Sequence, residues 1–564
     1  MRTIAILFTL WFSAVASADV LRWGGMVDPP QAPEGFVVFE IDTEADVAML
    51  TALPWGLPPT ELKHNTQFWT GVISGQQLSV QGTGEAGADF QAEMIKIGPV
   101  GPVAATLTWL PPLRSVEGVR AYAGTLDVPG MELDITIRLA DVDDATQAEI
   151  DIPLQMLDAL PLRLTAQSAD AFTFMLNGPM PATLVLKESD EGLTGSFSQG
   201  PVHMDVSLKP AAVEAGPQRP QLPQPPFPYT QHEILVEHTD GHALAGTLTV
   251  PHGSGPFPAA VLISGSGAQD RDESLLGHKP FLVLADHLSR NGIAVMRYDD
   301  RGVGGSKRGT SDLGDDTSAD YATDALLMAK HIADRNDIDA KRIGLIGHSE
   351  GGLIGPIAAV SDPDAVAFLV LLSGPGVPGR EILIAQVQAL LLAAGESPES
   401  VAKVTAAQQK VIAAVMADAP KEELVEHMRG LIQAQLAMAD QQSDGEVDED
   451  IVKMGLAQMD SPWMRWFMKT DPADYLAKVT CPVLALNGTL DLQVPVDQNL
   501  PVIERILRET GGDVTTHRLK GLNHLFQPAT KGTVDEYPRI ETTFDPAAMA
   551  MISAWVLEKV GAQP

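Results

Sequence analysis

The chain has 564 residues, of which 45% are hydrophobic and 20% charged, and its formal net charge is −35. A chain of this length and composition exceeds one hydrophobic core and is too apolar to be disordered, so we expect two or more globular domains. The excess of acidic over basic residues argues against a nucleic-acid partner, because binding to phosphates needs clustered Lys and Arg. The single cysteine, Cys481, excludes an intramolecular disulfide and a cysteine-built zinc site.

The first 18 residues have the features of a secretory signal peptide. Arg2 precedes the apolar run 4–16, and Ala18 ends an Ala-Ser-Ala cleavage site. A membrane anchor is the alternative, but the run is shorter than the roughly 20 residues that a spanning helix needs. We therefore expect export, to a bacterial periplasm or by secretion, and a mature protein with no stable membrane span.

Residues 19–210 have the two-residue period of strands that bury one face. Apolar and polar residues alternate over 131–139 and 202–208, and shorter runs of the same kind cover 172–176 and 184–186. The pattern predicts an antiparallel β-rich domain, either a curved sheet or an open barrel. No charged or histidine cluster in it has catalytic spacing. We expect it to shape the substrate entrance of the other half, and lipid or glycan binding is the alternative.

Residues 211–228, "AAVEAGPQRPQLPQPPFP", separate this domain from the rest of the chain. Their prolines are too dense for a helix or a central strand, so we predict an extended linker or a connection that follows the surface.

From residue 229 to 564 the pattern changes to strands that alternate with helices. We predict strands at 257–267, 293–300, 342–347, 367–374, 481–488 and 513–521, and helices at 281–292, at 319–333 and from Glu350. Continuous apolar strands separated by helices indicate an α/β fold with a mostly parallel sheet covered on both faces.

Residues 380–470 interrupt this alternation with a stretch that is almost entirely helix-forming. An insertion before the last two strands predicts a helical cap over the ends of the sheet. Most of its apolar residues and methionines are expected to form core. Trp463, Trp466 and Phe467 are the exception that we single out, because together they could line an acyl or aromatic pocket.

The sequence GHSEG at 347–351 has the G-x-S-x-G form of a nucleophile elbow. It lies between a predicted strand and a predicted helix, which is the context that the motif requires. Gly347 and Gly351 leave room for a strained turn that exposes Ser349. The backbone N–H of Glu350 then lies at a helix N-terminus, where negative charge is favoured.

A serine nucleophile needs a histidine base and an acid that orients it. Asp491 follows the strand 481–488 directly, so its carboxylate leaves the carboxyl edge of the sheet. The alternatives are that Asp491 only caps a turn, or that Asp497 is the acid. His524 follows the last strand and is the predicted base, whereas His348 is expected to be a structural neighbour of the serine.

The loop 264–273, "SGSGAQDRDE", is rich in glycine and follows the first long strand. A second oxyanion donor is expected there, and we assign it to the backbone N–H of Ser266. The charged residues of this loop and of "DDRGVGGS" (299–306) are expected to form ion pairs that fix the loops, namely Asp270, Arg271, Asp299 and Arg301. No metal-binding or nucleotide-binding motif is present, so we expect no cofactor.

Five motifs in order, "SGSGAQDRDE", "RYDDRGVGGS", "GHSEGG", "LNGTLDLQVP" and "GLNHLFQ", resemble the α/β-hydrolase superfamily over residues 230–560. The likeness is to bacterial exported esterases related to the serine-aminopeptidase-like hydrolases. It implies Ser349 as nucleophile, Asp491 as acid, His524 as base, and Ser266 and Glu350 as backbone oxyanion donors. Ser264 departs from the pattern, since many relatives have histidine there.

The predicted function is therefore hydrolysis of a small-molecule carboxylic ester through an acyl-enzyme, without a cofactor. A peptidase of the same fold is the nearest alternative. A binding protein with an inactive hydrolase half is the second, and the intact triad positions argue against it.

Overall fold

The computed structural model describes residues 20–213, with gaps at several connections between strands, and residues 218–561 apart from 240, 310–315, 439–446 and 448. The predicted signal peptide lies outside the described residues. The chain divides into two compact units, with the boundary between Gln218 and Arg219.

The N-terminal unit contains two closed antiparallel barrels. The first consists of β1 (Val20–Val27), β2 (Gly35–Asp42), β3 (Val47–Ala52), β4 (Leu57–His64), β5 (Trp69–Ile73), β6 (Gln76–Thr83), β7 (Phe90–Ile97) and β8 (Val100–Trp109). Strand β8 returns to pair with β1, where Trp109 lies opposite Trp23. The rings of Trp23, Phe39 and Phe90 are fully buried and pack together with centroid separations of 5.1–6.4 Å.

The second barrel is built in the same way. It consists of β9 (Arg120–Val128), β10 (Met131–Val142), β11 (Ala145–Ile152), β12 (Leu157–Gln167), β13 (Ala171–Leu176), β14 (Ala182–Ser189), β15 (Gly192–Gln199) and β16 (Val202–Ala211). Lys209 of β16 pairs with Ala123 of β9 and closes it. The expectation of a curved sheet or open barrel was wrong, because closure depends on pairing between the first and last strands, which alternation does not reveal.

The alternation of β10 does predict its buried face. Leu133, Ile135, Ile137 and Leu139 are all within the barrel core, and Asp134 is exposed. Arg138 lies on the other face but is also buried.

The burial of Arg138 is explained by ion pairs on that face. Its guanidinium pairs with Glu149 and Asp151. Arg22 of the first barrel donates to the same Glu149 at 2.9 Å, so the outer face of β10 and β11 carries a buried ion-pair network. The charges are paired, which is the condition for burying them.

The C-terminal unit is organised by one eight-stranded sheet. Its strands in chain order are β17 (Tyr229–Glu237), β18 (Ala243–Pro251), β19 (Phe257–Ile263), β20 (Ala294–Tyr298), β21 (Ile338–His348), β22 (Leu369–Leu372), β23 (Val483–Gly488) and β24 (Val514–Leu519). The spatial order is β17-β18-β20-β19-β21-β22-β23-β24. The sheet is mixed: β17 and β18 pair antiparallel, β18 is antiparallel to β20, and the remaining pairs are parallel.

The helices of this unit either pack on the faces of the sheet or belong to the insertion between β22 and β23. In chain order they are α1 (Pro280–Arg290), α2 (Ser318–Ala333), α3 (Gly351–Ser361), α4 (Gly379–Ala393), α5 (Pro398–Met416), α6 (Lys421–Met438), α7 (Glu449–Met459), α8 (Pro462–Lys469), α9 (Ala473–Leu476), α10 (Val496–Glu509) and α11 (Pro546–Lys559). Several begin at a side-chain cap: the oxygens of Ser461 and Asp545 accept the backbone N–H groups of Met464 and Ala548.

Successive residues of each central strand enter different cores. Val261 and Leu345 pack with α2, α3, α10 and the cap, whereas Leu262 and Ile346 pack with α1 and α11. Because both faces of these strands are buried, each strand is a continuous run of apolar residues in the sequence.

The predicted cap corresponds to α4–α8, residues 379–469, inserted between β22 and β23. Gln408 of α5 donates to the carbonyl of Leu383 in α4, at 3.2 Å. In the part of the chain that the structure describes, no helix combines the length and the apolar character needed to cross a bilayer.

The proline-rich segment follows the surface of the C-terminal unit from Arg219 onward. The Arg219 guanidinium donates to the carbonyls of Ile540 and Pro538, at 2.9 and 2.8 Å. The side-chain amide of Gln221 donates to the carbonyl of Phe544, and its oxygen accepts the backbone N–H groups of Thr543 and Phe544. These bonds fix the connection before it enters β17.

Candidate active site

Ser349 occupies a strained turn between β21 and α3. Its φ is +53°, in the left-handed region that non-glycine residues rarely adopt, and its N–H donates to the carbonyl of Leu372 at 2.8 Å. A Cβ added at Gly347 would come within 2.0 Å of the Gly351 carbonyl oxygen, and one at Gly351 within 2.3 Å of the Ile263 oxygen. Only glycine fits at either position, so the elbow forms as the motif predicted.

Asp491 and His524 meet at the carboxyl edge of the sheet, after β23 and β24. The Nδ1 atom of His524 lies 3.0 and 2.9 Å from the two carboxylate oxygens of Asp491. Both residues are buried. The His524 ring also lies 4.7 Å, between centroids, from the ring of His348, the residue before Ser349. The structure therefore brings the predicted acid and base together beside the elbow.

Asp491 is held by donors other than the histidine. Its Oδ1 accepts the backbone N–H groups of Gln493 and Val494, each at 2.9 Å, and its Oδ2 accepts the Asn487 amide at 2.9 Å. Burial by itself would raise the pKa of the carboxyl group, but the interaction with His524, the Val494 N–H and a hydrogen bond with Ser373 outweigh it and lower the pKa. Asp491 thus both caps a turn and faces the histidine.

Asp497, the alternative acid, lies elsewhere. Its carboxylate pairs with Arg518 in an exposed ion pair, and its side chain is 86% exposed. It is therefore not the partner of His524.

The loop after β19 passes directly beside Ser349. A Cβ built on Gly265 would lie 3.2 Å from the Cβ of Ser349. The N–H of Gly265 donates to Glu273 at 2.7 Å and is occupied. By contrast, the N–H groups of Ser266 and Glu350 have no acceptor among the described residues. Unoccupied backbone donors beside a nucleophile can receive an oxyanion.

Glu273 is a site residue that the sequence analysis missed. Its buried carboxylate also contacts Nδ1 of His348 at 2.8 Å, and Nε2 of His348 lies 3.0 Å from the carbonyl oxygen of His524. Glu273 has a φ of +52°. The sequence offered no signal for it, because "DRDE" contains three other carboxylate or guanidinium groups.

Glu350 links the elbow to the cap. Its buried carboxylate accepts a hydrogen bond from the Ser318 hydroxyl and one from the indole N–H of Trp463, the latter at 2.8 Å. Burial raises the pKa of this carboxyl group, and the two hydrogen bonds partly oppose the increase. The Trp463 ring stacks on Phe467 with a centroid separation of 5.4 Å and an interplanar angle of 4°.

The charged loops are fixed by ion pairs, as the sequence analysis expected. Arg271 pairs with Asp299 through two nitrogens, and Arg301 pairs with Asp316 and Asp324. Asp270 instead accepts two backbone N–H groups of its own loop. At the departure from the family pattern, the Ser264 hydroxyl donates to Asp300 at 3.1 Å.

Among the described side chains, no group of three or more His, Cys, Asp or Glu is placed to hold a metal ion.

Residues 279–527 match the family model described as serine aminopeptidase, S33. The match agrees with an α/β-hydrolase fold for this segment. The esterase EstD of Thermotoga maritima is 36% identical over 170 residues, which cover 29% of this chain and 37% of EstD. The chain thus spans little more than a third of the length of that curated relative. The matched segment lies in the C-terminal unit, which we call the hydrolase unit below.

Solved structures with similarity to the chain include esterases. Est1E of Butyrivibrio proteoclasticus, with bound ferulic acid, is 16% identical, with a TM-score of 0.34, over 58% of this chain and 99% of Est1E. The Pyrococcus furiosus esterase Pf2001 is 15% identical, with a TM-score of 0.34, over 59% of this chain and 90% of its own.

Proposed function

We propose that the protein is a serine hydrolase that cleaves carboxylic esters of small molecules through an acyl-enzyme. The observation that carries the proposal is the contact of His524 Nδ1 with both oxygens of the Asp491 carboxylate, at 3.0 and 2.9 Å, beside a serine at φ +53°. A base oriented by a buried acid next to a strained serine is the arrangement that activates a hydroxyl nucleophile.

The proposed first step is attack of the Ser349 hydroxyl oxygen on the ester carbonyl. His524 takes the hydroxyl proton, and Asp491 stabilises the imidazolium that forms. The negative charge moves onto the carbonyl oxygen, where the N–H groups of Ser266 and Glu350 would receive it. Collapse expels the alcohol, which takes its proton from His524, and leaves Ser349 acylated.

The second step returns the enzyme to its starting state. Water loses a proton to His524 and attacks the acyl carbon through the same oxyanion. The acid product leaves, and Ser349 recovers its proton. No group outside the protein and the two substrates is needed to balance these steps.

We propose ester rather than peptide substrates because of the similarity to EstD. EstD is named an esterase, whereas the family model is described as a serine aminopeptidase. The description of the family model therefore favours aminoacyl substrates as the second candidate. Comparison of p-nitrophenyl esters with aminoacyl p-nitroanilides distinguishes the two.

Export is part of the proposal. It is supported by Arg2, the apolar run 4–16 and the Ala-Ser-Ala site that ends at Ala18. Cell fractionation of the full chain and of a chain that begins at Asp19 tests it: the full chain should reach the periplasm or medium, and the shortened chain should remain in the cytoplasm.

The deciding experiment measures hydrolysis of p-nitrophenyl esters from acetate to decanoate. Ser349→Ala should lower kcat by something approaching the roughly 10⁶-fold seen on removal of a triad serine. Ser361→Ala is the matched control, because Ser361 lies at the end of α3 and, among the described residues, its hydroxyl donates only to the carbonyl of Ile357. It should retain wild-type turnover.

Equal rates for wild type and Ser349→Ala would reject the proposal. In that case, failure of a fluorophosphonate probe to label the folded protein would favour a binding protein. Labelling without ester turnover would favour the aminopeptidase.

A further inference from the structure

The main chain of His524 is held on its carbonyl side by a second histidine. Nε2 of His348 lies 3.0 Å from the carbonyl oxygen of His524, and Nδ1 of His348 lies 2.8 Å from Oε1 of Glu273. His348 and Glu273 are 5% and 4% exposed, so water does not replace either contact. Neither residue belongs to the proposed triad.

Proton counting defines the charge state of this pair. A carbonyl oxygen only accepts, so Nε2 of His348 must carry a proton. The facing oxygen of Glu273 also accepts the N–H of Gly265, at 2.7 Å, and is taken as the acceptor in the His348 contact as well. Both ring nitrogens of His348 then donate. Because a neutral imidazole has only one N–H, this arrangement makes the ring an imidazolium.

The charged groups around His348 agree with this assignment. Burial opposes a charged ring, but the Glu273 charge and hydrogen bond, the His524 carbonyl and the more distant Asp491 carboxylate outweigh it and raise the His348 pKa. These groups come from the loops after β19, β23 and β24.

The same Glu273 oxygen fixes the loop that supplies an oxyanion donor. It accepts the N–H of Gly265, which precedes Ser266 and lies beside the Ser349 Cβ. One oxygen of the Glu273 carboxylate thus contacts both the loop that contains Ser266, called the oxyanion loop here, and the ring of His348. The His348 ring in turn contacts the loop that contains His524.

We propose that His348, as an imidazolium paired with Glu273, is a positioning residue that sets the distance between the base and the oxyanion loop. The inference rests on the proposed function for its effect on catalysis. The ionisation of the pair can be measured independently of any reaction. Loss of the Glu273 charge should leave substrate binding intact and misplace the base.

The test combines a spectroscopic reading with kinetics on the full chain. In protein labelled with ¹⁵N-histidine, the His348 ring is assigned by its loss in His348→Gln. At pH 7.5 the wild type should show both ring nitrogens protonated, and Glu273→Gln should show one. Glu273→Gln should lower kcat for p-nitrophenyl esters by about 10- to 100-fold, the effect of a misplaced catalytic group, with KM little changed.

His242→Gln is the matched control, because His242 forms another buried histidine–carboxylate pair, with Asp324 at 3.0 Å. It should reduce stability and leave kcat unchanged. If Glu273→Gln does not fold, the kinetic reading is made on His348→Gln, which removes the charge and keeps an amide donor.

A singly protonated His348 ring in the wild type at pH 7.5 would overturn the inference. So would a wild-type kcat in Glu273→Gln, or in His348→Gln where that variant takes its place. Failure of the proposed function gives a different result, in which Ser349→Ala retains activity whatever the His348 spectrum shows.

Discussion

Trp463 of the cap donates its indole N–H to the carboxylate of Glu350, the residue that follows Ser349 in the chain. The distance is 2.8 Å, and the acceptor is buried. The cap is thereby bonded to the elbow itself. Because Trp463 also stacks on Phe467, an aromatic pair of α8 is fixed close to the proposed acyl site.

Trp463→Phe keeps an aromatic ring for stacking and removes this donor. A buried carboxylate that loses a hydrogen bond destabilises the fold by about 1–3 kcal/mol. We expect a loss of that size in the free energy of unfolding of the hydrolase unit, measured by urea denaturation followed by circular dichroism. Trp466→Phe, three residues along the same helix, should cost clearly less. Equal losses would show that Glu350 does not depend on the indole.

Asp491→Asn should lower kcat for esters by about 10⁴-fold, because an amide favours the wrong tautomer of the histidine. The variant should fold, since an asparagine Oδ1 still accepts the N–H groups of Gln493 and Val494. Asp497→Asn removes only an exposed ion pair with Arg518 and should leave kcat unchanged. The reverse ranking of the two variants would exclude Asp491 as the acid.

Gly347→Ala should prevent correct folding of the elbow. The new methyl group would lie 2.0 Å from the Gly351 carbonyl oxygen, in backbone that has no flexible side chain to yield. We expect a loss of more than about 3 kcal/mol, or no soluble protein. Gly430→Ala in α6 is the control, because nothing lies within 4 Å of its added Cβ. It should stabilise the protein by up to about 1 kcal/mol, and a similar loss in both variants would contradict the steric argument.

His278 makes the stability of the hydrolase unit depend on pH. Its ring is buried between Thr543 and the carbonyl of Tyr537, and burial, with the nearby Arg219 charge, lowers the His278 pKa from 6.5 to about 4. Between these values the unfolded chain binds a proton that the folded protein does not. The free energy of unfolding should therefore fall by roughly 3 kcal/mol as pH decreases from 6.5 to 4. Above pH 6.5, His278 should not make the free energy of unfolding depend on pH.

His278→Gln should flatten the curve of unfolding free energy against pH in that window. His517→Gln changes an exposed histidine and should follow the wild-type curve. The measurement is urea denaturation at intervals from pH 4 to 8. A His278→Gln curve parallel to wild type would mean that the folded protein accepts the proton.

The predicted elements of the hydrolase unit were mostly confirmed because each is a local pattern. The strand that leads to Ser349, the helix after it and the helical insertion before β23 were all identified, with ends displaced by a few residues. The sheet was predicted to be mostly parallel, but its antiparallel strands β17 and β18 were not identified.

Ser349, Asp491 and His524 could be predicted as a triad from the sequence alone, because the elbow is a contiguous motif and the other two follow strands in a fixed chain order. The sequence also determined that only glycine fits on both sides of the elbow. Tertiary structure decided the rest. The closure of two barrels, the Glu273–His348 contact over 75 residues and the Trp463–Glu350 contact over 113 join parts of the chain that no local periodicity relates. Such contacts depend on where whole strands and helices pack, and a one-dimensional pattern does not contain that information.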